Sequence, residues 1–426
     1  MRAYQDVSLA PARRAKALLE EMTLAEKVGQ LNQRLYGFRI YERKCVNGED
    51  TIELSEEFRQ EVEKYSGLGV LYGLYRADPW ADKDYETGLT GVLSKKAYNQ
   101  VQRYVLEHSR LGIPVMMSSE CPHGHQALDG YLLPVNLLAG ATFDPAMVRA
   151  AYRVSGRQLQ NMGVDFALMS MLDVLRDPRW GRSEECYSED PYLSARMAEA
   201  AVTGMQESGP EVVAKHFAAQ GEGTGGVNAS AARIGERELR EIHFPPAAAA
   251  IKAGAKGIMA AYNEIDGVYC HANRWLLNDV IRKEMGFDGI VMSDGVAIDQ
   301  LDSMTGDNVV SGALALQSGV DVGLWDEAFG KLEEAVRRGL VKEAQIDQAV
   351  LRVLTLKFER GLFEHPYLEE EGEIHVDYAQ NPESVQLARE GLVILQNKNQ
   401  VLPFWENQAS GKKIAVVGPN ADDLYN

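Results

Sequence analysis

The sequence predicts an α/β protein, a (β/α)8 barrel of the TIM type followed by the start of an incomplete α/β sandwich domain. Three observations lead to this prediction. Short apolar segments alternate with longer amphipathic ones along most of the chain. The apolar segments are apolar at consecutive positions, which is typical of parallel strands covered on both faces. Polar residues follow several of them, where the active sites of barrel enzymes are built.

The apolar segments are the predicted strands. They are VLYGLY (70–75), IPVMMSSE (113–120), VDFALMSMLDV (164–174), VVAKHF (212–217), AKGIMAAYN (255–263), DGIVMSD (288–294) and VDVGLWD (320–326). Amphipathic segments with helical spacing separate them, for example 94–109, 145–162, 235–254 and 331–339. Seven strand-helix units, with an eighth too weak to identify, favour a closed barrel. A doubly wound open sheet is the alternative, because linear order does not show closure.

The two ends of the chain complete the predicted organisation. Near the start, Thr23 and Glu26 form a T-x-x-E capping box, which predicts a helix, and a polar stretch then runs to about residue 66. The barrel is assigned residues 1–362, and the polar, acidic segment 363–384 is a predicted linker. Residues 385–426 then supply one helix (385–397) and one strand (413–422) of a truncated α/β domain, since a parallel strand needs neighbours.

Composition limits the classes of partner and location. The chain has 426 residues, and 44 Lys and Arg against 62 Asp and Glu give a net charge of −18, which disfavours nucleic acid and anionic membranes. The N-terminus has no apolar leader, which predicts a cytoplasmic location. Single, scattered cysteines predict reduced thiols; they are Cys45, Cys121, Cys186 and Cys270. Cys121 is expected to be a small buried filler rather than a nucleophile.

Polar residues at the strand ends predict a single crowded pocket, because all these ends face one side of a barrel. They are Glu120, Asp173, Lys215, His216, Tyr262, Asn263, Asp294, Trp325 and Asp326. Lys215 and Arg182 near Asp294 would stabilise its ionised form and lower its pKa. An ionised, shielded carboxylate is a nucleophile. With a second carboxyl group about 5 to 5.5 Å away, the chemistry suggested is glycoside hydrolysis with retention.

Six segments carry a resemblance to a known family. They are 118-SSECPHGH-125, 173-DVLRDPRWGRSEECYSEDPYL-193, 214-AKHFAAQGE-222, 236-ERELREIHFPPA-247, 261-AYNEIDG-267 and 290-IVMSDG-295. In this order they resemble the signatures of glycoside hydrolase family 3, which includes β-glucosidases, β-xylosidases and related exo-acting enzymes. The resemblance runs from about residue 10 to the final predicted strand.

The resemblance implies roles for individual residues. Asp294 takes the place of the catalytic nucleophile, and Glu120 takes a place that is Asp in many glucosidases and Glu in many xylosidases. The residues that hold the sugar hydroxyls or line the pocket would be Glu120, Arg182, Lys215, His216 and Tyr262. Asp173 and Glu185 would orient Arg182 and its loop.

The acid/base residue is where the chain departs from the family. In β-glucosidase-like members it is a glutamate of the second α/β sandwich domain, of which this chain is expected to carry only the beginning. Other members use a His-Asp pair after KHFPGHG, where this chain has AAQGEGTGG without histidine. Glu222 could serve as a surrogate acid or be a solvated loop glutamate. Catalysis is therefore expected to be impaired.

Features of the sequence also fit three rival functions in part. Gly221, Gly223 and Gly226 fit the spacing G-x-G-x-x-G of a dinucleotide site, but no apolar helix follows them directly. The HGH at 123–125 resembles part of a metal-dependent hydrolase, without the further histidines such a site needs. A non-catalytic sugar-binding domain is the third reading.

The sequence thus predicts a retaining, exo-acting β-glycosidase. It would release terminal β-linked glucose, or xylose, from small oligosaccharides or aryl glycosides in carbohydrate metabolism. No metal or other cofactor is predicted. A homo-oligomer, or pairing with a missing C-terminal half, is the expected kind of protein partner.

Overall fold

The computed structural model describes residues 2–371, 382–403, 411, 413, 415–418 and 421. The strands are β1 (Tyr41–Val46), β2 (Glu49–Leu54), β3 (Val70–Tyr72), β4 (Met116–Glu120), β5 (Phe166–Ser170), β6 (Glu211–Phe217), β7 (Gly257–Ala260), β8 (Glu264–Ile265), β9 (Val268–Tyr269) and β10 (Ile290–Met292). Each predicted strand from 70–75 to 288–294 contains one of them.

Helices follow most of these strands. The α-helices are α1 (Pro11–Leu19), α2 (Leu24–Gln30), α3 (Glu56–Tyr65), α4 (Gly91–Glu107), α5 (Asn136–Ala141), α6 (Pro145–Asn161), α7 (Pro191–Gln206), α8 (Glu236–Glu238), α9 (Phe244–Lys252), α10 (Asp302–Thr305), α11 (Asn308–Ser318), α12 (Leu332–Arg337), α13 (Glu343–Glu359) and α14 (Glu383–Gly391). Two π-helical segments, Leu239–His243 and Trp275–Glu284, add to them. Among the described residues, no helix is both long and apolar enough to cross a bilayer.

Six parallel strands form the main sheet, in the spatial order β10-β7-β6-β5-β4-β3. Their residues are buried almost throughout; in β5, for example, all five residues are buried. Both faces are covered because side chains fill the interior on one side and helices pack on the other. This explains why the strands appear in the sequence as continuous apolar runs.

Two further segments close this sheet into a ring. Residues 320–326 join β10 through a parallel bridge between Met292 and Val322. Residues 31–36, which follow α2, join β3 through a parallel bridge between Tyr36 and Tyr72. The two segments also bond to each other, since the N–H of Gly323 donates to the carbonyl of Leu31 (2.9 Å). The ring has eight members, and the predicted barrel is confirmed.

The eighth member is the unit that the sequence pattern did not identify. Segment 31–36 reads LNQRLY and carries polar residues at its centre. Gln33 points into the barrel, where its side chain accepts from the Ser118 hydroxyl and donates to the Met292 sulfur at 3.4 Å. A polar residue satisfied inside the barrel interrupts the apolar run that marks the other strands.

Local signals in the sequence set the helix starts. The capping box before α2 is confirmed, because the Glu26 N–H donates to the Thr23 hydroxyl (3.3 Å) and the Thr23 N–H donates to the Glu26 carboxylate (2.7 Å). α6 begins with Pro145 after Asp144, whose carboxylate accepts two backbone N–H groups.

The stretch before residue 66, in which the sequence analysis identified polar character but no elements, contains regular secondary structure. β1 and β2 form an antiparallel hairpin there, and α3 follows it. The turn is Asn47-Gly48, and both residues have positive φ. An Asn-Gly pair is a strong hairpin signal, which was available in the sequence.

The C-terminal predictions are tested only in part. The helix expected over 385–397 is α14, which begins at Glu383 and ends at Gly391. Residues 372–381 of the expected linker, and residues 414, 419, 420 and 422 of the segment expected to form a strand with its loop, lie outside the described residues, and the described residues of that segment are not in a strand. The predicted domain boundaries remain predictions.

Lys357 ties together chain segments at the end of the barrel opposite to the polar strand ends. It lies on α13 and is fully buried. Its ammonium donates to the Gln30 side chain (2.6 Å) and to the carbonyl of Pro114 (2.7 Å). Burial lowers the pKa of Lys357 to about 7. At pH values between about 7 and the ordinary pKa of lysine, Lys357 binds a proton in the unfolded chain but not in the folded chain.

We expect Lys357→Met to lower the free energy of unfolding by about 2–3 kcal/mol at pH 7, because buried acceptors lose their donor. The difference between wild type and variant should grow as the pH rises toward 10, since proton release by Lys357 on folding favours the folded wild type there. Denaturant unfolding across this pH range measures it. A pH-independent difference would contradict the lowered pKa.

Candidate active site

The six predicted site residues meet at the carboxyl ends of the barrel strands. Glu120 ends β4, Lys215 and His216 lie near the end of β6, and Tyr262 and Asp294 follow β7 and β10. Arg182 lies in the loop after β5, and its charge interacts with that of Asp294. The structure therefore brings all six into one cluster, which we call the strand-end cluster. Their chemical roles remain predictions.

Asp294 presents its carboxylate toward His216. The distance between Asp294 Oδ2 and His216 Nε2 is 3.5 Å. Asp294 Oδ1 accepts the N–H of Gly295 at 2.8 Å, whereas Oδ2 has no hydrogen-bond partner in the part of the chain that is described. One carboxylate oxygen is thus held by the backbone, and the other is buried without a hydrogen-bond partner among the described residues.

Asp173 fixes the ring of His216. Its Oδ2 lies 2.7 Å from His216 Nδ1 and also accepts the backbone N–H of His216 at 3.2 Å. The other oxygen, Oδ1, accepts the N–H of Gly221 at 3.3 Å. Because Nδ1 faces a carboxylate, it carries a proton, and Nε2 is the atom that faces Asp294.

Glu120 and Lys215 form a buried ion pair across the cluster. Lys215 Nζ donates to Glu120 Oε2 at 2.7 Å, and the Tyr72 hydroxyl donates to Oε1 at 3.1 Å. Arg76 lies 3.9 Å from Oε1 and also bonds to the Tyr72 hydroxyl. Burial opposes ionisation of Glu120, but the charges of Lys215 and Arg76 more than offset it, so the pKa of Glu120 lies below its ordinary value.

The sequence interpretation missed Tyr72 and Arg76. Arg76 is anchored by Asp78, whose Oδ2 accepts from Nε (2.8 Å) and Nη2 (2.6 Å). Both residues lie at or just after β3, so the strand-end rule that selected Glu120 applies to them as well.

Arg182 is held by a two-point ion pair with Glu185. Nε donates to Oε1 at 2.6 Å and Nη2 donates to Oε2 at 2.8 Å. Although burial opposes it, the charge of Arg182 keeps the pKa of Glu185 well below its ordinary value. Glu185 thus fixes the guanidinium, as the sequence predicted, whereas Asp173 contacts His216 instead.

Aromatic side chains form one wall beside Asp294. Burial, and then the charge of Asp294, raise the pKa of Tyr262, so its hydroxyl stays protonated and donates to the carbonyl of Gly295 at 2.9 Å. Trp325 stacks on Tyr36 with ring centroids 4.7 Å apart, and Trp80 lies 5.3 Å from Trp325. A Cβ at Gly295 would overlap the Trp325 ring, so the absence of a side chain there lets Trp325 lie against the backbone next to Asp294.

Glu222 does not have the surroundings of a general acid. Its Oε2 lies 3.4 Å from His243 Nε2 and 3.4 Å from Arg176 Nε. The contact with His243, aided by the charge of Arg176, lowers the pKa of Glu222. A general acid at neutral pH needs a raised pKa, so these contacts favour the reading of Glu222 as a loop carboxylate.

Asp326 has a structural role. It accepts hydrogen bonds from the Ser293 hydroxyl (2.6 Å) and from the N–H groups of Leu324 (3.0 Å) and Ile298 (2.8 Å). Burial raises its pKa to about 7. These bonds tie the loop after β10 to residues 320–326 and so fix both Asp294 and Trp325.

The rival sites find little support in the geometry. Gly221 and Gly226 lie against the Val174 carbonyl and Arg179, so this turn is packed against the loop after β5. His125 is buried against the Ser119 hydroxyl at 2.8 Å, and burial lowers its pKa to about 4. In the described part of the chain, no three His, Cys, Asp or Glu residues are grouped to hold a metal ion. Burial raises the pKa of Cys121 to about 12, as a buried filler requires.

The cluster suits a polyhydroxylated ring. Lys215 and Arg182 supply donors, Glu120 supplies acceptors, and Trp325 and Tyr262 supply flat apolar surface. Asp294 is the carboxylate among them with a buried oxygen that has no hydrogen-bond partner within the described residues.

Comparison with known proteins agrees with this geometry. Residues 23–356 match the model described as "Glycosyl hydrolase family 3 N terminal domain". The chain is 33% identical to a putative β-xylosidase of Formosa agariphila, over 99% of this chain and 55% of that protein. It is 32% identical to the periplasmic β-glucosidase of Salmonella typhimurium, over 95% of this chain and 50% of that protein.

Solved structures show the same similarity. A β-glucosidase from Erythrobacter marinus superposes with a TM-score of 0.83 at 32% identity, covering 95% of this chain and 52% of that one. The β-glucosidase of Listeria innocua in complex with glucose gives a TM-score of 0.78 at 29% identity, covering 92% and 52%. The chain spans about half the length of the curated relatives it matches.

We expect Lys215→Met to lower the free energy of unfolding by about 3 kcal/mol at pH 7, because it leaves the buried Glu120 carboxylate without its closest cation. Since the pKa of Glu120 is below its ordinary value, its stabilising contribution is present at neutral pH and is lost as the pH falls. The difference from wild type should therefore shrink toward pH 4 in denaturant unfolding.

Adding Glu120→Gln to Lys215→Met is the matched control. The double variant should be more stable at pH 7 than the sum of the two single changes predicts. Additive losses would show that the two side chains do not form a coupled pair.

Proposed function

Because the chain belongs to glycoside hydrolase family 3, we propose that it is a retaining, exo-acting β-glycosidase that releases terminal β-linked glucose. Small oligosaccharides and aryl glycosides are its proposed substrates. The observation that carries the proposal is the buried carboxylate of Asp294, one oxygen of which has no hydrogen-bond partner among the described residues and faces His216 at 3.5 Å.

In the proposed reaction, the Asp294 carboxylate attacks the anomeric carbon as the bond to the leaving group breaks. A covalent glycosyl-enzyme forms, and water then releases the sugar with retained configuration. The N–H of Gly295 holds Oδ1 and so orients the carboxylate. Arg182 stabilises the negative charge of Asp294 before the attack.

The remaining residues of the strand-end cluster hold the sugar in place. Lys215 and Arg182 each have one face occupied by a carboxylate, which fixes their positions and leaves further N–H groups for sugar hydroxyls. Glu120, ionised by its cations, accepts hydrogen bonds from hydroxyls. Trp325 contributes an apolar surface and an indole N–H that has no partner in the described part of the chain.

Xylose is the second candidate for the released sugar. Glu120 stands where the family has Glu in many xylosidases, and one relative aligned with 99% of the chain is a putative β-xylosidase. A second alternative is that the chain binds a sugar without turnover. The lowered pKa of Glu222 supports it, because an ionised Glu222 cannot be the acid that protonates the leaving group. The cytoplasmic location also stays a proposal, which fractionation of host cells would test.

An activated 2-deoxy-2-fluoro β-glucoside should label Asp294 covalently, because a good leaving group needs little help from an acid and the fluorine slows release of the sugar. Peptide mass spectrometry identifies the labelled residue. Asp294→Asn should give no adduct and reduce turnover of activated aryl glycosides by at least about 10³-fold.

Glu222→Gln is the control for this experiment. This substitution also removes a carboxylate from a loop at the carboxyl ends of the strands. Unlike Asp294, which faces His216, Glu222 pairs with His243 and Arg176. The rate of labelling of this variant should stay within about threefold of wild type. Wild-type protein that binds the sugar without forming an adduct would favour the non-catalytic reading.

The ratio of kcat/KM for an aryl β-glucoside to that for the matching β-xyloside should rise about tenfold in Glu120→Asp, because a shorter carboxylate leaves room for the hydroxymethyl group of glucose. Glu120→Gln, which keeps the length and removes the charge, should lower both values without shifting the ratio. An unchanged ratio in Glu120→Asp would remove Glu120 from the determinants of specificity.

A further inference from the structure

His271 connects the ends of two neighbouring barrel strands beneath the candidate nucleophile. It lies in the 3-10 turn Cys270–Ala272 and is 1% exposed. Its Nε2 accepts the backbone N–H of Asp294 at 3.2 Å. The backbone of Ala261 also acts on the ring and opposes the lowering of the His271 pKa by burial. Ala261 follows β7 directly, and Asp294 lies two residues beyond β10.

The N–H of Asp294 depends on this side chain because the backbone ladder has already ended. The ladder between β7 and β10 stops at the pair Met259 and Met292. On the other side of the strand, the N–H of Ser293 donates to the carbonyl of Val322 at 2.8 Å. The N–H of Asp294 is directed back toward β7, and there the imidazole takes the place of a carbonyl. His271 thus extends the ladder by one residue.

The protonation state of His271 suits this role. Burial lowers its pKa to about 3, so the ring is neutral throughout the range in which the protein would work. Because Nε2 accepts the N–H of Asp294, the single proton of the neutral ring lies on Nδ1.

We propose that His271 is a positioning residue for Asp294, which sets the direction of the nucleophilic carboxylate by holding its backbone amide. The inference rests on the proposed function. The hydrogen bond of His271 among the described residues goes to a backbone group, so it acts through the peptide of Asp294. On the other side, Tyr262 holds the carbonyl of Gly295 at 2.9 Å. Together these two bonds fix both ends of the Asp294-Gly295 segment, from which the carboxylate faces His216.

The test uses the 426-residue chain and an activated 2-deoxy-2-fluoro β-glucoside as the probe. The first-order rate constant of inactivation reports how well Asp294 attacks, and the inhibition constant reports how well the sugar is held. His271→Leu removes the hydrogen bond to the N–H of Asp294 at similar volume. His271→Gln can keep an acceptor near the position of Nε2, and His271→Asn is too short to reach the N–H of Asp294.

We expect the inactivation rate constant to fall about 10- to 100-fold in His271→Leu and His271→Asn, because a small misplacement of a reacting group has effects of this size. In both, the inhibition constant should stay within about threefold of wild type. His271→Gln should recover most of the rate. The inactivation rate of His271→Gln should depend on pH in the same way as that of wild type, since His271 does not titrate in that range.

Each outcome decides the inference. A rate constant in His271→Asn equal to that of wild type would overturn it, as would a His271→Gln variant no faster than His271→Asn. If His271→Leu does not fold, which its thermal unfolding would show, the comparison of Gln with Asn carries the test alone. Absence of an adduct on Asp294 in wild-type protein is a different result, because it overturns the proposed function itself.

Discussion

The structure depends first on the hydrogen bonds that close the ring between residues 31–36 and 320–326. Closure turns the carboxyl ends of all the parallel strands toward one opening. Glu120 on β4 and Lys215 on β6 are separated by 95 residues along the chain, yet they are in direct contact at that opening. In an open sheet the two outermost strands would stay apart, and the side chains after β10 would not face those after β3. The strand-end cluster therefore depends first on the closure of the barrel and then on the chemistry of its side chains.

Asp294 differs from the other charged groups in this opening in how closely it is paired. Most occur in tight pairs, which are Lys215 with Glu120, Arg182 with Glu185, and His216 with Asp173. Each pair lowers the cost of burying its members and fixes their direction. Asp294 has no such close partner; His216 approaches it only to 3.5 Å. Asp294 is therefore the carboxylate of the cluster that is least engaged by cationic side chains.

Much of this could be predicted from the sequence, for a physical reason. Strands buried on both faces leave continuous apolar runs, and the polar residues at their ends fall on one side of the barrel, so the fold and five members of the cluster followed from one rule. Arg182 lies in the loop after β5 and was identified by the resemblance of its segment to the family. Segment 31–36 was missed because Gln33 is satisfied inside the barrel by Ser118 and Met292. His271 was missed because it lies in a loop and acts through a backbone group, and no local pattern shows which amide lacks a partner. The roles of the cluster residues remain predictions.

The packing of Trp325 against Gly295 links two residues from neighbouring strand ends. A Cβ at position 295 would overlap the Trp325 ring, so position 295 cannot gain a side chain while the tryptophan stays in place. A larger residue at 295 therefore requires a smaller one at 325, and sequences that diverge at position 295 are expected to change position 325 as well.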